Sequence, residues 1–238
     1  MRRGAGAGSP VVLVTGAGRG IGRAAAAAFA TEGYRVAIAE LREAPGRSAA
    51  RALRRAGAEA IFVPTDVARP ASAAAAARAT LRAFGRLDCL VNNAGVLRPG
   101  PLAALPVRAL EAMLAVNLRG PLLMARAVLP AMRRRRAGAI VNVASLLGKS
   151  GLGDYVTYCA TKFGVVGMTE ALADELRGTG IAVWAVCPGQ VDTAMARASG
   201  VADAERAGLI RPETVARVIL ALATGRRRAA SGAAVDVT

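Results

Sequence analysis

Short apolar runs alternate with longer amphipathic stretches along almost the whole chain. The short runs predict seven β-strands, at residues 10–15, 34–39, 60–63, 87–91, 139–143, 181–186 and 233–237. Between them, helix-favouring stretches cover residues 23–32, 42–56, 71–79, 106–136 and 154–177, and a last helix begins near Arg211. Strands that are apolar throughout are typical of a parallel sheet covered on both faces. The pattern therefore predicts an α/β fold: a three-layer, doubly wound parallel sheet of Rossmann type.

No linker, repeat or change of composition divides this pattern. We therefore expect residues 10–238 to form a single dinucleotide-binding and catalytic domain, preceded by a flexible tail at residues 1–9. Residues 194–208 are small and partly apolar, and we interpret them as a lid over a substrate. No apolar run is judged long enough to span a bilayer, so we expect a cytoplasmic protein with no membrane partner.

A glycine-rich loop follows the first strand and opens the first helix. It contains Gly16, Gly20 and Gly22, with Arg19 and Ile21 between them. Glycines at such positions allow a tight turn and let a pyrophosphate approach the helix N-terminus. The same spacing is compatible with an ordinary strand-to-helix turn. The strand before it and the helix after it favour the dinucleotide interpretation.

The ends of the second and third strands carry residues suited to the adenosine part of a dinucleotide. Glu40 ends the second strand, where an acidic side chain accepts hydrogen bonds from ribose hydroxyls and repels a 2′-phosphate. This position favours NAD, although Arg19 or Arg42 could instead bind the phosphate of NADP. Glu40 could also be a solvated loop charge. Asp66 and Val67 follow the third strand, where an adenine could be contacted.

Two asparagine-containing segments lie near the middle of the chain. Asn93, Ala94 and Gly95 follow the fourth strand and predict a polar turn beside the cofactor. Asn117 lies inside a long predicted helix, where asparagine disturbs the hydrogen-bond ladder and needs a partner. It is either a satisfied core amide or a bridge, through water, to Lys162.

The strongest candidate for chemistry is the stretch from Ser145 to Lys162. Tyr158 and Lys162 are four residues apart in a predicted helix and therefore share a face. A neighbouring ammonium favours the phenolate, so we expect a lowered pKa that lets Tyr158 act as a general acid/base. Ser145 follows the fifth strand, where its hydroxyl can hold a substrate oxygen. Taken alone, the Tyr-x-x-x-Lys spacing favours a surface pair on an amphipathic helix, because the motif is short, and the other motifs of the chain decide between the two interpretations.

The composition argues against histidine-based proton transfer and against a metal site. The chain has no histidine, so proton transfer must rest on tyrosine, lysine, cysteine or a carboxylate. Cys89, Cys159 and Cys187 are far apart and form no Cys-x-x-Cys motif, which indicates reduced thiols. We therefore expect no metal site.

The formal net charge of +16 raises the question of an acidic partner. The arginines are spread over several predicted helices, and only 3 % of the residues are aromatic and able to stack on bases. We therefore expect no nucleic-acid partner. The densest arginine run, residues 133–136, ends a predicted helix, where cations suit the helix dipole.

Together these motifs resemble those of the short-chain dehydrogenase/reductase family over nearly the whole chain. The matching positions are the loop at residues 15–22, Asp66, residues 92–95, Asn117, Ser145, Tyr158, Lys162, Pro188, Gly189 and Thr193. The resemblance implies a Rossmann-type sheet of seven strands with a nicotinamide dinucleotide across its carboxyl edge.

The resemblance also implies a role for each matching residue. Tyr158 would exchange a proton with the substrate oxygen, which Ser145 would hold. Lys162 would bind the nicotinamide ribose and lower the pKa of Tyr158. Asn117 would order a water molecule that links Lys162 to solvent.

Further matches follow the sixth strand. Pro188 and Gly189 would lie beside the cofactor, and Thr193 and the backbone near Val191 would bind its carboxamide. Arg19 is common in NADP-preferring members of the family and therefore opposes the preference for NAD that Glu40 indicates.

Three functions follow from this resemblance. The first is an NAD(P)-dependent oxidoreductase that interconverts a secondary alcohol and a ketone in a small molecule. The second is an NADPH-dependent 3-oxoacyl reductase acting on an acidic acyl-carrier protein, which the positive charge, residues 133–136 and Arg177 would attract. The third is a cofactor-binding regulator without catalysis. The family also implies a homodimer or homotetramer built on the long helices that begin near Pro106 and Asp154.

Overall fold

The computed structural model describes residues 8–199 and 208–238. Of the predicted tail, residues 1–9, only residues 8 and 9 are among the described residues. Of the predicted lid, residues 194–208, the segment from residue 200 to residue 207 lies outside the described residues.

Seven strands form one parallel sheet in the order β3-β2-β1-β4-β5-β6-β7. They are β1 Val11–Thr15, β2 Arg35–Glu40, β3 Ala60–Pro64, β4 Cys89–Asn92, β5 Gly138–Val143, β6 Ile181–Pro188 and β7 Ala234–Val237. The chain runs outward from β1 to β3, crosses back to β4, and then runs outward to β7. This reversal between β1 and β4 leaves a crevice at the carboxyl edge, where doubly wound folds bind ligands. The predicted Rossmann-type sheet is confirmed.

Helices cover both faces of this sheet. They are α1 Gly20–Thr31, α2 Glu43–Arg55, α3 Pro70–Phe84, α4 Val107–Met113, α5 Gly120–Arg135, α6 Val156–Glu175, α7 Ala194–Ala198 and α8 Pro212–Ala223. Helix α1 begins three residues earlier than predicted, because Gly20 and Gly22 belong to its first turn despite glycine's low helix propensity.

Alternate residues of each strand supply the two halves of the core. Val12 and Ile38 pack with α1, α2 and α8 on one face of the sheet. Leu13, Leu90 and Ile140 pack with α3, α5 and α6 on the other face. All five side chains are fully buried, which explains why the strands read as continuous apolar runs.

The long helix predicted for residues 106–136 is divided in two. A π-helical segment, Leu114–Arg119, separates α4 from α5 and contains Asn117. Such a bulge widens the hydrogen-bond ladder and is frequent at functional sites.

This helical stretch, Val107–Arg135, is long and apolar enough to cross a membrane by length and composition. The expectation that no apolar stretch reaches that length is therefore wrong. Met124, Val128 and Met132 on α5 are fully buried and pack against the sheet, as a core helix does.

The amino edge of the sheet carries a group of mutually paired charges. Asp88, just before β4, accepts hydrogen bonds from the backbone N–H of Val11 at 2.8 Å and from the Arg86 side chain at 2.7 and 2.8 Å. Arg135, at the end of α5, donates to the same carboxylate at 2.7 Å. Burial raises the pKa of Asp88, but these hydrogen bonds outweigh it and hold the pKa below its usual value.

Candidate active site

A cavity of about 1000 Å³ opens at the carboxyl edge of the sheet. It is lined by residues that follow six of the strands, β1 to β6, so distant parts of the chain meet there. The predicted site residues that line it are Gly16, Arg19, Gly20, Ile21, Glu40, Asp66, Val67, Asn93, Ala94, Gly95, Ser145, Tyr158, Lys162, Pro188, Gly189, Val191 and Thr193. Of the predicted site residues, only Gly22 and Asn117 lie behind its wall.

The glycine loop has the close packing that its sequence predicts. Gly16 and Gly20 have φ values of 62° and 53°, in the left-handed region that disfavours other residues. A Cβ on Gly22 would lie 2.4 Å from Nδ2 of Asn93, so only glycine fits between α1 and the turn after β4. Among residues 8–199 and 208–238, no side chain caps the N-terminus of α1, which leaves its first backbone N–H groups for an anion.

Thr15 and Asn93 hold the glycine loop against the turn after β4. The Thr15 hydroxyl accepts hydrogen bonds from the backbone N–H groups of Asn93 and Ala94, both at 3.0 Å. The Asn93 side chain donates to the carbonyl oxygens of Thr15 and Gly16 at 2.9 and 3.2 Å. The Asn93 amide therefore shapes the cavity by holding its wall.

Glu40 also binds the glycine loop. Its carboxylate accepts a hydrogen bond from the Gly18 N–H at 3.0 Å and another from the Arg42 N–H at 3.2 Å. Only 8 % of the residue is exposed, so it is not a solvated loop charge. Arg19 and Arg42 line the same end of the cavity with exposed side chains. One negative and two positive groups therefore surround the position expected for the adenosine ribose.

Asp66 closes the turn that leads into α3. Its carboxylate accepts a hydrogen bond from the Ala68 N–H at 3.0 Å, and its own N–H donates to the Ser72 hydroxyl at 2.9 Å. These bonds fix the backbone of Asp66 and Val67 at the cavity wall, where an adenine contact is expected.

Asn117 clamps the backbone that follows Gly95. Its side-chain oxygen accepts from the Val96 N–H and its amide donates to the Val96 carbonyl, both at 2.8 Å. The amide also lies 3.4 Å from the Thr161 hydroxyl, beside Lys162 on α6. Asn117 is 1 % exposed and is a satisfied amide in the core. Its position still connects the π-helical segment, the cavity wall and α6.

Ser145, Tyr158 and Lys162 meet where β5 ends beside the first turns of α6. The Ser145 hydroxyl accepts from the Leu147 N–H at 3.1 Å and is hydrogen-bonded to Tyr158. The Lys162 ammonium lies 5.5 Å from the centre of the Tyr158 ring and donates to the Val143 carbonyl at 2.8 Å. The three groups therefore form one cluster that faces the cavity.

The proton affinities of this cluster differ from the sequence expectation. Burial raises the pKa of Tyr158 to about 12, and the hydrogen bond with Ser145 opposes that rise. The expectation that Lys162 lowers the pKa of Tyr158 below its ordinary value is wrong for this structure. Burial lowers the pKa of Lys162 itself to about 8, because its ammonium is desolvated and no carboxylate of the described residues pairs with it. The lysine is thus the member of the pair that titrates near neutral pH.

Some residues of the site escaped the sequence analysis. Tyr155 and Gln190 line the cavity together with Ser145 and Tyr158, as does Met195 of the predicted lid. Tyr155 is three residues before Tyr158 and therefore near the same helix face, which is a spacing that could have identified it. For Gln190, the sequence offers no comparable signal.

Comparisons with known proteins agree with this geometry. The family described as short chain dehydrogenase matches residues 10–203, which is more than half of the chain. The chain belongs to the short-chain dehydrogenase/reductase family. It is accordingly an oxidoreductase that acts on alcohol and ketone groups with a nicotinamide cofactor.

Individual members of the family are similar over most of their length. The chain is 39 % identical over 235 residues to cis-4-hydroxycyclohexanecarboxylate dehydrogenase of Sinomonas cyclohexanicum, covering 95 % of this chain and 94 % of the relative. It is 38 % identical over 186 residues to a 3-oxoacyl-[acyl-carrier-protein] reductase of Synechocystis sp., covering 78 % and 75 %. A solved structure of actinorhodin polyketide ketoreductase with NADPH has a TM-score of 0.92 and 36 % identity, covering 98 % of this chain and 97 % of that one.

Proposed function

We propose that this cavity interconverts a secondary alcohol and a ketone, with Tyr158 as the general acid/base. The observation that carries the proposal is the convergence of Ser145, Tyr158 and Lys162 on a cavity continuous with the glycine loop. With no histidine in the chain, Tyr158 is the proton donor that faces the space where a substrate oxygen can lie.

The residues divide the work as follows. In ketone reduction, the Tyr158 hydroxyl donates its proton to the substrate oxygen while the Ser145 hydroxyl holds that oxygen. The Lys162 ammonium stabilises the phenolate that remains, and alcohol oxidation reverses these steps. Asn117 fixes the backbone at Val96 beside the reacting groups, and we keep the expectation that it orders a water molecule near Lys162.

The cavity fits a nicotinamide dinucleotide. The uncapped N-terminus of α1 suits its pyrophosphate, because free backbone N–H groups and the helix dipole favour an anion there. The close packing of Gly22 against Asn93 holds α1 in this position. When bound, the cofactor supplies the hydride-transfer chemistry. Lys162 would hold the nicotinamide ribose, and Thr193 with the backbone near Val191 would hold the carboxamide, beside Pro188 and Gly189.

We infer a preference for NAD over NADP. The Glu40 carboxylate, fixed by two backbone N–H groups, repels a 2′-phosphate and can accept from ribose hydroxyls. Arg19 and Arg42 oppose this preference, and their exposed guanidinium groups are the two candidates for binding a phosphate.

Fluorescence titrations with NADH and NADPH test this preference directly. We expect NADH to bind more tightly to the wild-type protein, and Glu40→Gln to reduce the difference. Arg42→Ala is the matched variant, and it should weaken NADPH binding and leave NADH binding almost unchanged. Tighter binding of NADPH by the wild-type protein, lost in Arg19→Ala, would overturn the inference.

A second candidate is an NADPH-dependent 3-oxoacyl reductase that acts on an acyl-carrier protein. The Synechocystis relative is named a 3-oxoacyl-[acyl-carrier-protein] reductase. The arginines that suggested an acidic partner lie at the amino edge of the sheet, since α5 and α6 end there. Arg133 pairs with Glu175 at 2.6 Å, Arg135 pairs with Asp88, and Arg177 pairs with Asp174. These pairs support a small free substrate over a carrier docked on this run.

Turnover of free ethyl acetoacetate and of the same acyl group on a carrier protein separates the two candidates. We expect similar kcat/KM for both substrates and little dependence on salt. A carrier-dependent increase that falls as salt is raised would favour the second candidate.

We also infer a homo-oligomer. The outer faces of α4, the π-helical segment and α6 expose large apolar side chains, which are Val107, Leu114, Val156 and Phe163. Contiguous apolar side chains on neighbouring helices mark protein interfaces. A homodimer or homotetramer formed on this face would bury them, and Phe163→Glu should shift the mass measured by light scattering toward the monomer.

Two further expectations complete the proposal. We infer a single domain from residue 10 to residue 238 and a cytoplasmic location, with no nucleic-acid or membrane partner. The third candidate, a regulator without catalysis, receives little support, because the Ser145, Tyr158 and Lys162 side chains are all present and grouped. Absence of turnover with every ketone tested, together with tight cofactor binding, would favour it.

A further inference from the structure

A continuous chain of buried hydrogen bonds crosses the sheet beneath the cavity. On β4, the Asn92 amide donates to the Pro121 carbonyl of α5 at 3.3 Å and to the Asn142 side-chain oxygen on β5 at 2.9 Å. The Asn142 amide donates to the Thr169 hydroxyl on α6 at 2.9 Å. That hydroxyl donates to the Val165 carbonyl at 2.7 Å. These hydrogen bonds therefore form one connected series from β4 through β5 to α6.

The members of this chain lie in the apolar core. Asn142 and Thr169 are fully buried, and Asn92 is nearly so. Asn92 and Asn142 are paired across the two strands, on the same face as Leu90 and Ile140. Polar side chains at such positions cost free energy unless they are hydrogen-bonded, and well-connected buried networks select one arrangement of the elements they join.

Three of the elements joined by these hydrogen bonds carry or adjoin a part of the proposed catalytic machinery. Asn142 precedes Ser145 by three residues at the end of β5. Thr169 follows Lys162 by seven residues and Tyr158 by eleven, so all three lie on one face of α6. Pro121 follows the π-helical segment that contains Asn117.

Apolar packing alone leaves a helix some freedom to slide or rotate on a sheet. A hydrogen bond from a strand side chain to a helix side chain removes this freedom, because it is lost over a shift of about 1 Å. The Asn142–Thr169 bond is placed between the strand that leads to Ser145 and the helix that carries Tyr158. A shift of α6 would change the distance between those two hydroxyl groups directly.

We propose that Asn142 and Thr169 are positioning residues that fix α6 on β5, and thereby set the Ser145–Tyr158–Lys162 geometry. This inference rests on the proposed function, because it assigns the pair a role in the reaction of that same site. Asn92 supports the pair from β4 by donating to Asn142.

Thr169→Val tests the proposal, since it keeps the shape of the side chain and removes the acceptor for Asn142. Thr169→Ser keeps the hydroxyl and should restore the bond. Thr80→Val is the matched control, because Thr80 is a fully buried helix threonine on α3 that donates to the Ala76 carbonyl at 2.9 Å. Thr169→Val and Thr80→Val thus lose the same intrahelical bond, and only Thr169→Val loses the link to β5.

Two measurements compare these variants with the wild-type protein. The first is NADH- or NADPH-dependent reduction of ethyl acetoacetate, with kcat and KM determined separately. The second is amide hydrogen exchange along residues 156–165, which needs no substrate. We expect kcat of Thr169→Val to fall about tenfold, because small misplacements of reacting groups are costly, with cofactor affinity changed less than about threefold. Exchange in this segment should be faster in Thr169→Val alone.

Rescue and a paired replacement complete the test. Thr169→Ser should recover kcat to within about twofold of the wild-type value, since the hydroxyl is retained. The double variant Asn142→Leu with Thr169→Val removes both partners of this bond and also the acceptor of the Asn92 amide, so it should regain neither stability nor kcat. Equal losses of kcat and equal exchange in Thr169→Val and Thr80→Val would overturn the proposal.

The test also separates this proposal from the one on which it rests. If Tyr158→Phe abolishes turnover while Thr169→Val leaves kcat and exchange unchanged, only the positioning role is wrong. If Tyr158→Phe keeps full turnover, the assignment of the active site is wrong.

Discussion

At the amino edge of the sheet the charged side chains satisfy one another, whereas at the carboxyl edge they surround a cavity. Asp88 accepts hydrogen bonds from Val11, Arg86 and Arg135, so both oxygens of its carboxylate have hydrogen-bond partners. Lys162 is more deeply buried and has only the Val143 carbonyl as a hydrogen-bond partner in the described part of the chain. Each edge therefore contains a charged group that is at least partly buried, but only the one at the amino edge is paired with opposite charges.

This difference decides which groups can exchange protons near neutral pH. Hydrogen bonds from two arginines hold the pKa of Asp88 below its usual value, despite burial, so it stays ionised. Burial without an anionic partner lowers the pKa of Lys162 to about 8. A carboxylate that is hydrogen-bonded to arginines stays ionised and contributes to stability. A buried ammonium without an anionic partner has a lowered pKa and can exchange a proton in catalysis.

The largest expected difference between the two edges is in kcat, when one tyrosine hydroxyl is removed at each edge. Tyr158→Phe should lower kcat by about 10²–10⁴-fold, because general acid/base catalysis is lost. Tyr34→Phe makes the same change beside β2 near the amino edge, where Tyr34 packs edge-on against Phe29 at 4.9 Å. It should leave kcat within about twofold, since Tyr34 is outside the cavity.

Steady-state kinetics with ethyl acetoacetate measures both variants, and thermal unfolding confirms that each is folded. Equal losses of kcat in Tyr158→Phe and Tyr34→Phe would contradict the proposed difference between the two edges.

The second effect is a pH dependence that belongs to the Tyr158–Lys162 pair. Below about pH 8 the pair holds both protons and can donate one, so ketone reduction should be favoured there. Above this pH the pair has lost one proton and can accept one, so alcohol oxidation should rise toward a plateau. Profiles of kcat/KM in both directions measure this.

Lys162→Ala should remove the inflection near pH 8 as well as lower the rate. A profile that is flat between pH 6 and pH 10 in the wild-type protein would contradict the assignment of Lys162 as the titrating partner.

The third effect is on stability alone. Asp88→Asn should lower the free energy of unfolding by about 1–3 kcal/mol at pH 7, because Arg86 and Arg135 lose a charged acceptor. The pKa of Asp88 is lowered on folding, so its contribution is present above the ordinary carboxylate pKa and is lost as pH falls through the folded value. The difference between the variant and the wild type should therefore shrink in acid.

Urea unfolding at several pH values measures this change, and kcat should be unaffected. A destabilisation that stays constant down to the most acidic pH would show that the charge of Asp88 is not its cause.

The smallest effect is expected on the exposed surface of the amino edge. Arg133→Ala breaks the pair with Glu175, in which both side chains are more than half exposed. The free energy of unfolding should change by less than about 1 kcal/mol, because exposed ion pairs contribute little. Turnover of both free and carrier-bound acyl substrates should remain the same. A loss confined to the carrier-bound substrate would instead identify this run as a docking surface.

The fold was predictable because its signals are local. Each strand is a mostly apolar run, and helix-favouring segments separate the strands, so the alternation of the two predicts the parallel sheet. The start of α1 was misplaced because Gly20 and Gly22 are poor helix formers that nonetheless open the helix. Asn117 was identified as a disturbance inside a helix, but the form of that disturbance, a π-helical segment, was not.

The site was predictable as a set of positions and less so as chemistry. Residues that follow parallel strands must meet at one edge, which is why Glu40, Ser145 and Asn93 line one cavity. The direction of the pKa shift of Tyr158 was wrong, because desolvation depends on burial by the whole fold. The bond between Asn142 and Thr169 joins residues that are distant in sequence, and no local pattern reveals it.

The central claim is that hydride transfer between a nicotinamide and a carbonyl carbon occurs at the carboxyl edge of the sheet. Reduction of a panel of linear and cyclic ketones with a reduced cofactor deuterated at C4 tests it most directly, with mass spectrometry of the product alcohols. We expect deuterium at the carbinol carbon with the wild-type protein and with Tyr34→Phe, and none above background with Tyr158→Phe. Binding of the cofactor without deuterium in any product, or equal labelling with Tyr158→Phe, would contradict the claim.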